Sequence, residues 1–134
     1  MTKNIITSGK RRTAVARAVL KQGKGLVRIN HIPIDLIEPR MSRLKLSEPL
    51  ILAGDIANSV DIDIDVVGGG ITSQAEASRL AIAKALIIFT KSDSLKETFL
   101  NYDRNLLVAD VRFKEPAKPN RHGQARSKVQ KSYR

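Results

Sequence analysis

From Val60 to Val67 the chain alternates without a break: Val60, Ile62, Ile64 and Val66 are apolar, and Asp61, Asp63 and Asp65 fall between them. Successive side chains of a strand point to opposite faces, so the pattern predicts a half-buried strand with a core on one side only. Gly68-Gly69-Gly70 ends it. Beyond the glycines, Ala75, Ser78, Ile82, Ala85 and Phe89 recur at spacings of three and four, which predicts an amphipathic helix from about Ser73 to Thr90. Any fold must therefore bury one face of this strand and one stripe of the helix that follows it.

Three aspartates on one strand face invite a metal reading, which fails for calcium. A calcium loop beginning at Asp61 needs glycine at its sixth position and glutamate at its twelfth, where Val66 and Thr72 stand. What remains is a solvated face, or one paired with basic neighbours, against a minority reading as a Mg²⁺ site shared with phosphate. No cofactor of the chain's own is expected. The glycine turn carries a similar pair of readings. It could let backbone approach a phosphate, or simply permit positive φ and tight packing. It lacks both the Gly-Lys-Ser/Thr of a Walker loop and the spaced glycines of a dinucleotide fingerprint.

Elsewhere the signals are more local. Thr13 to Leu20 and Leu26 to Ile29, separated by Gln22-Gly23-Lys24-Gly25, read as a hairpin, with Arg17 near a strand edge. Pro33, Pro39 and Pro49 interrupt a stretch whose Ile37, Met41 and Leu44 suggest short helical turns rather than one long helix. A second amphipathic helix is expected over Ser94 to Tyr102, with Leu95, Phe99 and Tyr102 facing inward, and Leu106-Leu107-Val108 could form a last short strand. These elements make one globular domain over residues 1–110.

Charge divides the chain into three. Residues 1–28 carry eight Lys or Arg and no acid, residues 29–110 carry eight basic and twelve acidic side chains, and residues 111–134 carry eight basic side chains against Glu115 alone. Basic ends on a mildly acidic body, at a net charge of +11, suit a polyanionic partner. In the last segment Val129 is the only aliphatic side chain larger than alanine after Phe113, so it cannot hold a fold of its own and should find its structure on that partner. Fully extended, the roughly 20 residues after Phe113 reach at most ~70 Å. Tyr133 offers a face for stacking on a base, and Arg134 a fork for phosphate. The absence of cysteine excludes disulfides and thiolate metal sites. No apolar run approaches the ~20 residues that span a bilayer, so a soluble, cytoplasmic protein without a membrane partner is expected.

Five segments together carry a family resemblance: Ser8-Gly-Lys-Arg-Arg-Thr-Ala-Val-Ala-Arg17, Gly68-Gly-Gly-Ile-Thr-Ser-Gln-Ala75, Arg79-Leu-Ala-Ile-Ala-Lys-Ala-Leu86, Leu106-Leu-Val-Ala-Asp110 and Gln130-Lys-Ser-Tyr-Arg134. In this order and at this length the chain resembles the small-subunit ribosomal protein nine family, and its ending and short N-terminus resemble archaeal members. The resemblance implies an α+β fold, a two-layer α/β sandwich of the ribosomal protein five domain 2-like type with a left-handed βαβ crossover, against the usual rule, and an extended basic C-terminal tail.

It also implies a structural constituent of the small subunit, bound to rRNA of the head beside neighbouring head proteins, whose tail reaches the anticodon stem-loop of P-site tRNA during translation. By the same resemblance Lys10, Arg11, Arg12, Arg17, Gly68, Gly69, Gly70, Arg112, Lys114, Lys118, Arg121, Arg126 and Lys128 would meet rRNA, and Lys131, Tyr133 and Arg134 would meet tRNA. The sequence departs from the family pattern at Glu115-Pro116-Ala117-Lys118 and Pro119-Asn120-Arg121-His122, which bears on individual contacts of the middle tail. Two other classes compete on the residues alone. A DNA binder lacks a reading helix flanked by basic residues, and an enzyme lacks any motif joining His31 or His122 to a nucleophile and an acid.

Overall fold

The computed structural model describes residues 4–128. Strands Ile5–Arg11 (β1), Ala14–Gln22 (β2), Val27–Ile29 (β3), Ile32–Pro33 (β4) and Val60–Val67 (β5) form one sheet in the order β1-β2-β5-β3-β4. Helices Arg40–Ala53 (α1), Ile71–Thr90 (α2) and Asp93–Tyr102 (α3) supply the second layer. The fold is α+β, as the resemblance implied. The parallel pair β3 and β5 is joined through β4 and α1, which places the βαβ crossover.

The predicted strand is β5, and its alternation is the burial pattern: Val60, Ile62, Ile64 and Val66 face the helices while the aspartates face away. Ala14, Ala16, Ala18 and Leu20 of β2 extend the same buried surface. The three alanines are small because α2 lies directly on β1 and β2. Of the stripe predicted for α2, Ala75, Ser78, Ile82 and Ala85 are buried and Phe89 is half-buried. Ala77, Leu80, Ala81, Ala83 and Leu86 are buried too, because α1 and α3 cover the side of α2 turned away from the sheet. Phe99 of α3 and Leu106 seal that end, both with no exposure. Among the described residues no helix covers the opposite face of the sheet, and Ile6 and Val67 there are 72% and 69% exposed.

Four expectations need correction. First, β2 and β3 are not a hairpin: β5 lies between them, pairing antiparallel with β2 and parallel with β3. The glycine loop is held by β5 instead, since Asp61 Oδ1 accepts the backbone N–H groups of Lys24 (2.8 Å) and Leu26 (2.9 Å). Second, β2 is an interior strand, because β1 pairs along its other side, so Arg17 is not at an edge. It stands on the open face between Ser8 and Asp65. Third, the proline-interrupted stretch is a 3₁₀ turn at Ile34–Leu36 followed by the 14-residue α1, which carries Pro49 inside it. Fourth, Leu106-Leu107-Val108 forms no strand; Arg104–Leu106 is a 3₁₀ turn that drops Leu106 into the core, and Tyr102 points outward.

The backbone hydrogen bonds from Leu26, then Lys24, hold the Asp61 carboxyl below its ordinary value. A carboxylate with a depressed folded-state pKa adds stability that is complete above its unfolded pKa and is lost as the pH falls through the folded value. Asp61→Ala should therefore lower Tm at neutral pH and reduce the further drop as the pH falls below about 4. A melting profile with the same acid limb as the parent would remove Asp61 from this role.

Candidate nucleic-acid interface

At the end of β1 consecutive side chains part company, since neighbours in a strand point to opposite faces. Lys10 lies on the open face of the sheet, where its Nζ sits 5.1 Å from the centre of the Phe113 ring, a cation–π contact. Arg11 lies on the helix side, next to buried Ala14. Its Nε donates to Glu76 Oε2 of α2 at 2.6 Å, and its Nη1 is 2.8 Å from Asp110 Oδ2, aligned as an ion pair rather than a hydrogen bond. Arg12 forms the β1–β2 turn at φ 52° and is exposed, with no ion-pair partner among the described residues.

The turn adjoins the start of α2. A shallow cavity there is lined by Arg11, Arg12, Thr72, Ser73 and Glu76. The glycines before the helix fall into two groups. Gly68 (φ 75°) and Gly69 (φ 67°) press on the turn: a Cβ on Gly68 would lie 2.4 Å from the Thr13 carbonyl oxygen, and one on Gly69 2.9 Å from the Ala14 Cβ. Packing and positive φ account for both. Gly70 is different. A Cβ there would meet nothing within 4 Å, so open space lies beside the N-terminus of a 20-residue helix, whose dipole favours an anion.

A chain of ions runs from this corner to the start of the tail. Lys45 Nζ of α1 meets Glu76 Oε1 at 3.0 Å; Glu76 meets Arg11, Arg11 meets Asp110, and Asp110 accepts from Arg112, with Nη2 to Oδ2 at 2.6 Å. Burial pulls the Glu76 carboxyl up, but hydrogen bonds from Lys45 and Arg11 outweigh it and hold it below the usual range. The Arg112 side chain and backbone N–H, followed by the charge of Arg11, hold Asp110 far below that range. A second set ties Arg79 of α2 to Glu48 of α1 and to Asp103, the latter at 3.0 Å.

The aspartate ladder faces basic neighbours, not solvent alone. Asp63 accepts from Arg28 Nε at 2.9 Å with Lys21 Nζ 3.9 Å away, and Asp65 stands opposite Arg17. Among the described residues no group of three or more His, Cys, Asp or Glu is placed to hold a metal, and no helix is long and apolar enough to cross a membrane.

From Val111 to Lys128 every side chain is exposed except half-buried Ala125. Lys114, Arg121 and Lys128 are exposed, and Lys118 and Arg126 share Glu115 at 2.9 and 3.0 Å. The middle tail turns back on itself rather than running straight: Lys118 N–H donates to the Gln124 carbonyl, and Asn120, His122 and Gly123 take positive φ. Lys131, Tyr133 and Arg134 lie outside the described residues.

The structure thus brings Lys10, Arg11, Arg12, Gly68, Gly69, Gly70 and Arg112 to one corner, while Arg17 stands apart on the open sheet. Sequence reading missed Glu76, Asp110 and Lys45. Arg11 and Glu76 are 65 residues apart, beyond the reach of any local spacing.

The model of the family "Ribosomal protein S9/S16" matches residues 9–134. A "Small ribosomal subunit protein uS9" of Methanococcus maripaludis is 53% identical over 133 residues, covering 98% of this chain and 99% of the relative. One of Methanococcus vannielii matches at the same identity and coverage. The family is one of structural, not enzymatic, proteins. The chain therefore belongs to the ribosomal protein S9/S16 family, in its archaeal form, and is a constituent of the small ribosomal subunit.

Proposed function

We propose that the chain binds rRNA of the small-subunit head through the corner formed by Arg12, the start of α2 and the exit of the tail, and that the tail runs on through rRNA to P-site tRNA. One observation carries this reading: an exposed arginine, an open helix N-terminus and a basic, coreless tail converge on one place, each suited to phosphate. Lys114, Lys118, Arg121, Arg126 and Lys128 follow the RNA backbone, with Arg17 and Lys10 contributing from the open sheet. Arg11 is withdrawn from the contact set, since two carboxylates already face its guanidinium. Lys131, Tyr133 and Arg134 take the tRNA end on the strength of their chemistry and position in sequence. A Mg²⁺ shared with rRNA phosphate would meet Asp65, the exposed member of the ladder.

The first test is retention. Small subunits from a native lysate, washed in high salt, should keep the chain at one copy each; its loss on washing would mean that the corner and the tail do not anchor it on rRNA. The tRNA arm needs its own measurement. Subunits carrying a chain without Tyr133 and Arg134 should assemble normally but release P-site tRNA about fivefold faster, as expected of one charged hydrogen-bonded contact of roughly 1 kcal/mol. Unchanged release would end the tRNA assignment while leaving rRNA binding intact.

A further inference from the structure

The sheet order makes β1 an edge strand, and the chain passes around that edge just as it leaves the domain. Asp110 is held on the helix side by Arg11; three residues later the Phe113 ring lies against Lys10 on the open side. Adjacent residues of β1 thus grip the departing chain from both faces of the sheet. The grip on the helix side is braced. Arg11 is fixed by Glu76, Glu76 by Lys45, and Asp110 is further closed by a two-nitrogen fork from Arg112, whose own backbone N–H also donates to Asp110 Oδ1 at 3.0 Å. The side chains of Arg11 and Asp110 are each only 16% exposed, which shields the pair from salt better than a surface ion pair.

We propose that the Lys45–Glu76–Arg11–Asp110–Arg112 chain is a clasp that sets the direction in which the basic tail leaves the domain, and that Arg11 is a positioning residue for RNA binding by the tail. The inference rests on the RNA-binding reading above. Its physical basis is pre-organisation. A segment pinned at Asp110 and Phe113 starts its search from one place and one heading, whereas an unclasped segment would be free from the last buried anchor, Leu106, onward. Ordering that additional stretch on RNA would cost affinity.

Asp110→Ala separates this from simple electrostatics by sign. The substitution removes a negative charge, so if the tail acted only as a polycation it would bind small-subunit rRNA more tightly. The clasp predicts weaker binding, on the order of five- to tenfold. Asp110→Glu should recover most of the loss. The heading can be read directly, because the chain has no cysteine of its own and takes a labelled pair cleanly. With spin labels at Ala117→Cys and Ser94→Cys in the full-length protein, the parent should give one narrow distance distribution, and Asp110→Ala or Arg11→Leu a broad one. Narrow distributions in both variants, or tighter RNA binding by Asp110→Ala, would overturn the clasp. If the parent itself fails to bind rRNA, the functional reading is what falls, and the distance distributions still decide whether the clasp exists.

Discussion

Gly9→Ala is expected to destabilise the fold by at least about 3 kcal/mol, lowering Tm by about 10 °C or more. A Cβ at Gly9 would lie 2.0 Å from the Ala77 carbonyl oxygen and 2.9 Å from the Ala81 backbone N, both on α2. Neither atom can rotate away, so β1 and α2 would have to move apart. Their contact includes the buried hydrogen bond from Thr7 Oγ1 to the Ala81 carbonyl, 2.9 Å, which that motion would stretch. Overpacking against side chains ordinarily costs about 1–3 kcal/mol, and backbone obstruction belongs at the upper end or beyond it. Gly70→Ala is the control: its Cβ enters open space at φ −112°, so the loss should stay within about 1 kcal/mol, the difference between glycine and alanine at a helix N-cap. Equal melting of Gly9→Ala and the parent would mean that β1 does not lie on α2 as described. Because Arg11 and Lys10 ride on β1, the same variant should also lose the interface corner.

The same close approach explains why β1 was not legible in the sequence. A strand usually announces itself by alternating bulky apolar residues, but Thr7 and Gly9, the inward pair of β1, are small because helix backbone occupies the space above them. β5 was legible for the opposite reason, since it buries full-sized side chains at a period of two; α2, whose buried side chains are mostly alanine, was legible from their spacing of three and four. The failed hairpin between β2 and β3 shows the limit of turn signals. Gly23 and Gly25 do mark a turn, yet which strand fills the gap is decided by β5, whose Asp61 binds the loop from 35 or more residues away. At the candidate interface, sequence charge pointed to the tail and to residues 10–12 but could not tell Arg11 from Arg12. The end of the strand separates them: Arg11 is the last residue of β1 and faces two carboxylates, whereas Arg12 lies in the turn at φ 52° and faces solvent.

Neutralising the tail should change how binding responds to salt more than it changes anything about the fold. With Lys114, Lys118, Arg121, Arg126 and Lys128 all replaced by glutamine in the full-length chain, melting should be unaltered, because none of these side chains touches the core and all are exposed. Each phosphate contact contributes about 0.7–0.9 to the slope of log affinity against log salt. In the parent, Glu115 is held by Lys118 and Arg126 and offsets one of the five charges, leaving about four to meet phosphate. The slope for small-subunit rRNA should therefore flatten by roughly 3 to 4, so that the parent's advantage over the variant shrinks about a hundredfold between 50 and 200 mM salt. Isotherms measured at four or five salt concentrations suffice. Two parallel lines would show that the tail's charge does not meet phosphate, leaving RNA binding to Arg12 and the start of α2; converging lines would place most of the electrostatic attraction beyond Arg112, on the segment whose heading the clasp controls.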